Sequence, residues 1–211
     1  MAISLVGTAT PGTNTCTIPA HSIGDLILIY SFRDGSNSTP TLPSGYTSLD
    51  TITSNSAGSI VGYKIATATN DTSGTWTNAT QTNGVVYTGN DTTTPIGGHA
   101  ITTNIGTVVS YPALTMTNGT GTSWVAGLAA HRSTNTTLET PPTGMTNRID
   151  DVTTGEVVIN DTNGGVTSWS LQTVSVGGTS SGWGGATVEI LEAAAPPATV
   201  NGGFLAFMGL G

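Results

Sequence analysis

The chain has 211 residues, of which only 8% are charged, with 12 acidic against 4 basic side chains and a formal net charge of −8. So few cations exclude nucleic acid as a partner, because phosphate-backbone binding needs clustered Lys and Arg. No apolar run approaches the roughly 18 residues of a membrane-spanning helix, and a single cysteine, Cys16, leaves no internal disulfide.

One large β domain is expected at this length. Thr, Gly, Ser and Asn dominate and good helix formers are scarce, a composition suited to strands and turns. With so little charge, the surface is expected to be hydroxyl and amide. Residues 1–5 have neither a basic start nor a long apolar core, so the chain is expected to lack a leader and to be made in a cytoplasm.

In chain order, residues 2–6 read as a first strand and 15–19 as a short extended piece. Residues 26–32, L-I-L-I-Y-S-F, form a continuous apolar run with no polar helical face, and so predict a strand buried on both sides. A loop of turn-forming residues follows over 35–45. Strands are predicted over 46–53, 59–67, 75–77 and 84–89. Residues 90–106 show little pattern and read as a long connection between halves. After it, 107–117, 124–130, 145–150, 156–161, 166–176 and 186–191 are predicted strands, with a second loop over 131–142. About a dozen short strands with turns every 8 to 12 residues predict an all-β, two-sheet, jelly-roll-like β-sandwich.

The second half echoes the first. Arg33, Pro43, Gly45 and Thr47 are matched ninety-nine residues on by Arg132, Pro142, Gly144 and Thr146, and the run from Leu26 aligns with that from Val125. An internally duplicated half is the reading this supports, with two inner faces burying one another. The sandwich is assigned to 1–192. Residues 193–211 begin with a linker stiffened by Pro196 and Pro197 and end in an apolar tail carrying Phe204, Leu205, Phe207, Met208 and Leu210. That tail is read as a last strand or as a segment docking on another subunit.

Chemistry is hard to find. His21, His99 and His131 lie in separate segments without metal-ligand spacing, so neither a metal nor a cofactor is expected. No G-x-S-x-G elbow or phosphate loop is present. Asp34, Asp150, Asp151 and Asp161 lie near loops but lack calcium-loop order, and read as solvated carboxylates; no enzyme is expected. Arg33 and Arg132 each end an inner strand where a loop starts, and are assigned as structural anchors that reach carbonyls or an Asp of their own loops. Trp76, Trp124 and Trp169 read as core. Trp183, in S-S-G-W-G-G-A, is the candidate for an exposed aromatic that stacks on a sugar.

The segments G-D-L-I-L-I, P-S-G-Y-T, G-Y-K-I-A, V-V-Y-T-G-N-D-T-T-T-P-I, P-T-G-M-T-N-R-I-D and A-T-V-E-I-L, in that order, resemble a β-sandwich domain of tailed-bacteriophage virion proteins. The likeness covers about residues 1–192, and its motifs are turn-and-strand signatures. It implies a virion structural protein, most simply a head decoration (cement) subunit assembled in the host cytoplasm. The partners implied are the major capsid protein and copies of itself, as a homotrimer. The alternative is a tail- or fibre-associated adhesin contacting host glycans through Trp183 and the loops after Arg33 and Arg132.

Overall fold

The computed structural model describes residues 1–133 and 140–195, and among these it contains strands and turns but no helix. The strands are β1 (Ser4–Thr8), β2 (Leu26–Asp34), β3 (Thr47–Ser54), β4 (Ala57–Ile65), β5 (Gln81–Thr88), β6 (Ile96–Gly106), β7 (Val108–Tyr111), β8 (Trp124–His131), β9 (Thr146–Asp151), β10 (Glu156–Asp161), β11 (Gln172–Ser175) and β12 (Ser181–Ile190). Two five-stranded antiparallel sheets, ordered β1-β5-β2-β4-β3 and β6-β12-β8-β10-β9, pack face to face. β7 and β11 pair as a separate ribbon. The expected all-β sandwich is what the chain forms.

β2 shows why. Leu26, Leu28, Tyr30 and Phe32 face the core between the sheets, while Ile27 and Ile29 face a second core on the outer side of the first sheet. Alternating side chains of one strand thus serve two apolar layers, and an unbroken apolar run is the result. β8 repeats this in the second sheet. Trp124, Ala126, Leu128 and Ala130 point inward, and Val125 and Ala129 point to a third core beneath the ribbon.

The outer cores exist because the connections have to travel. β2 and β3 both run antiparallel to β4, so they run in the same direction. Residues 35–46 must therefore carry the chain back across the sheet, and they do so over β4. Gly58 makes room: a Cβ there would lie 2.2 Å from the Ser38 carbonyl oxygen. β5 likewise runs in the same sense as β4, and the return segment inserts Trp76, which is wholly buried with Tyr46 edge-on at 5.4 Å.

Set β7 and β11 aside, and the two sheets have corresponding strand orders, with β2 and β8 each in the middle. Each sheet takes its strands from one half of the chain. This connectivity completes one sheet before starting the next, whereas in a jelly roll the strands alternate between sheets.

Several expected boundaries shift. The connection read over 90–106 contains β6, paired with β12 along its length. Ile96, at its start, packs on the inter-sheet core, but Ile101 and Ile105 are exposed while Gly98, Ala100 and Thr102 are half-buried, so over most of the strand the usual amphipathic signal is inverted. Residues 15–19 and 75–77 contribute only isolated bridges, Thr10 to Thr17 and Thr41 to Thr77. β12 starts five residues before its predicted start, because Gly184 and Gly185 are strand residues that admit Ile52 on one face and the Ser110 carbonyl on the other.

Candidate functional site

The polar groups that sequence reasoning singled out are held by the architecture. Arg33, at the end of β2, donates from Nη1 to the Asn78 carbonyl at 3.3 Å. Arg132, just past β8, donates from Nε to Asp34 Oδ1 at 2.7 Å and from Nη1 to the Asn55 carbonyl at 3.4 Å. Asn55 and Asn78 both have positive φ, 40° and 70°, so each arginine fastens a turn in a left-handed conformation. Neither partner set belongs to the arginine's own loop. Arg33 reaches the β4–β5 connection, and Arg132 crosses to the other sheet. These groups are about one-third exposed, so their ion pair contributes little beyond position.

Of the loop aspartates, Asp161 is fully buried at the end of β10. Arg148 of β9 grips it with two donors, Nε to Oδ2 at 2.9 Å and Nη2 to Oδ1 at 2.8 Å. The Tyr87 hydroxyl, from the opposite sheet, donates to Oδ2 at 3.0 Å, and the Asn163 amide donates to Oδ1 at 2.9 Å. Burial, and then the Asp161 charge, push the Tyr87 phenol well above its ordinary pKa. Asp151 accepts from Asn83 Nδ2 at 3.3 Å and from the Thr153 amide at 3.1 Å.

Gln81 completes this seam. Its Nε2 donates to the carbonyls of Asp151 and Gly155 at 3.0 and 3.3 Å, and its Oε1 accepts from the Gly155 amide at 3.1 Å. Gln81, Asn83 and Tyr87 all lie on one face of β5 and reach β9, β10 or the turn between them. Sequence reasoning passed over all three. The available signal was the period-two series Gln81, Asn83, Val85, Tyr87, whose polar members share a face with core residues.

Glu189, wholly buried in β12, sits in a nest of backbone amides: Gly98 at 2.8 Å, Thr117 at 2.6 Å and Asn118 at 2.9 Å. Burial works to raise its pKa, but the three N–H donors outweigh it and hold the carboxyl below its usual value.

The histidines stay apart. His21 lies between the Pro19 and Ala68 carbonyls, and His99 meets Asp50 at 2.9 Å. His131 Nδ1 accepts from the Ser133 amide while Nε2 donates to the Gly106 carbonyl at 2.7 Å. Among the described residues no three His, Cys, Asp or Glu come together as a metal site. Burial pushes the Cys16 thiol up to about 12, which leaves it a protonated, half-apolar wall group.

Trp183 is 3% exposed and packs in the third core with Val109, Tyr111 and Trp169, under the β7–β11 ribbon. Its ring has no open face for a sugar, because the ribbon occupies that side. Phe204, Leu205, Phe207, Met208 and Leu210 lie outside the described residues.

One open groove, of about 500 Å³, runs between residues 15–21 and 69–75. Thr17, Asn70 and Thr72 border it, and Cys16, Ile18 and Pro19 form an apolar side. Its one carboxylate, Asp71, is paired with Lys64, so the groove is close to neutral.

The fold and these contacts define an all-β sandwich whose ionisable groups are engaged in holding sheets, turns and connections together. No family model, curated protein or solved structure matches the chain.

Proposed function

We propose that this chain is a structural subunit of a tailed-bacteriophage virion, a decoration protein that sits on the outer head surface and binds the major capsid protein and copies of itself. The observation that carries this reading is the use of charge. Asp161, Glu189, Asp151 and their partners are spent inside the sandwich, and what faces outward is mostly hydroxyl, amide and backbone. A surface of that kind is little affected by changing salt, and a rigid sandwich with several edges suits repeated contact with neighbours. Its role is binding rather than catalysis. Gold-labelled antibody against the chain should mark phage heads in many copies, and a particle reconstruction should place it there. Label confined to the tail tip would reject the proposal.

The groove beside Thr17 and Asn70 favours one second reading, an adhesin for neutral host glycans. Its hydroxyl border and apolar side match a sugar's own mixture of hydroxyls and C–H faces. Glycan-array binding that Asn70→Ala abolishes would support it, and an array with no bound glycan would remove it.

A further inference from the structure

We infer that two copies of this chain associate through β6, edge to edge and antiparallel about a twofold axis at Thr103. This concerns how copies meet, and it holds whether or not the chain belongs to a phage head.

Among the described residues β6 is an edge strand, hydrogen-bonded to β12 on one side only. Edge strands are usually blunted by charges or proline, because their open backbone invites pairing. β6 has neither. No Asp, Glu, Lys or Arg occurs anywhere over residues 92–131. In a chain of net charge −8, this strand presents no Asp, Glu, Lys or Arg of its own to a second copy.

The strand is also self-complementary. Ile101, Thr103 and Ile105 alternate onto one face, and the two isoleucines are 44% and 53% exposed. Antiparallel pairing centred on Thr103 sets Ile101 of one copy opposite Ile105 of the other, twice over, with the two threonines facing at the axis. β-branched residues placed directly across such a pair stabilise it, and an interface that matches a surface to itself is what twofold symmetry requires. The backbone groups on this edge face away from β12, and pairing would exchange the Ile105 amide's present bond for one to the partner strand. The Ile105 amide donates to the side chain of its own neighbour, Asn104, at 2.9 Å and not to β12. Strand alternation turns the N–H and C=O groups of Ile101 and Thr103 to the same free edge. Pairing would extend the second sheet continuously from one copy into the other.

The test is the molar mass of the full chain in solution, by light scattering and sedimentation, for the wild type, Thr103→Lys and Thr103→Asp. Either substitution sets like charges opposite one another on the axis and should weaken the dimer by about tenfold or more. Losing the dimer with both signs separates this from a change in net charge. The double variant Ile101→Ser/Ile105→Ser should do the same by removing the apolar pair, and it decides the matter if the Thr103 variants lose their native circular dichroism. Ser4→Lys, on the β1 edge, should leave the dimer intact. A monomeric wild type overturns the inference, as does a dimer or trimer that survives the Thr103 variants. It is equally overturned if the full chain is monomeric and residues 1–195 alone dimerise, for then the C-terminal segment covers this edge within one copy.

Discussion

Asp161 carries a charge into the sandwich, and Arg148 makes that tolerable. The carboxylate has no exposed surface and four donors, two of them from the one guanidinium. Arg148→Ala would leave the charge buried with only a phenol and an amide, and breaking a buried pair from one side costs about 3 kcal/mol or more. Urea denaturation should show that loss, with Arg148→Lys in between because it keeps the charge and gives up the fork. An unchanged midpoint for Arg148→Ala would mean that Asp161 is solvated. Acid should act on the Asp71–Lys64 pair. Burial favours a raised pKa at Asp71, but Lys64 and the amides of Thr67 and Ala68 bring it from 3.8 down to about 2. The folded value is the lower one, so the stabilisation is whole above 3.8 and is lost as pH falls towards about 2. Glu189 is shifted the same way and adds to the loss. Across that window Asp71→Asn should show a flatter decline in denaturation midpoint than the wild type. At this scale the sequence revealed positions better than partners. Arg132 stands visibly at a strand end, but Asp34 is 98 residues away on the opposite sheet, and no local pattern points to it.

The crossing of residues 35–46 over β4 depends on one missing methyl group. In Gly58→Ala the new carbon would meet the backbone oxygen of Ser38 at 2.2 Å, and a backbone atom within a crossing connection has little room to retreat. The expected cost is about 1–3 kcal/mol, read as a lower melting temperature. Gly35→Ala gives the contrast, since nothing lies within 4 Å of that position and its cost comes from a φ of +77° alone. If the two variants melt alike, the crossing is looser than described. Elements were legible wherever two cores demanded apolar residues, as in β2 and β8, because burial on both faces leaves an unbroken run. β6 was not legible for the opposite reason. Beyond Ile96 its large apolar side chains, Ile101 and Ile105, face solvent and its half-buried residues are small, so the periodicity that identifies an amphipathic strand is turned inside out.

At the scale of the molecule, the connectivity raises the question of whether each half could fold alone, since each sheet is made from one half of the chain. The inner faces answer it. Leu26, Leu28, Tyr30 and Phe32 of one sheet are buried against Ala126, Leu128, Val157 and Ile159 of the other, and fully burying a large apolar side chain is worth about 1.5–3 kcal/mol. An isolated sheet would turn that entire face to water. The polar seam points the same way, because Gln81, Asn83 and Tyr87 find their partners only across the interface, and unpaired buried groups cost about 1–3 kcal/mol each. Calorimetry of the whole chain should therefore give one transition whose calorimetric and van't Hoff enthalpies agree. Residues 1–91 and 92–211, made separately, should each lack a cooperative transition, and mixing them should restore one. Two resolved transitions in the intact chain, or a half that melts cooperatively alone, would show that the shared core is not what holds the sheets, and that the local pairing within each sheet is enough.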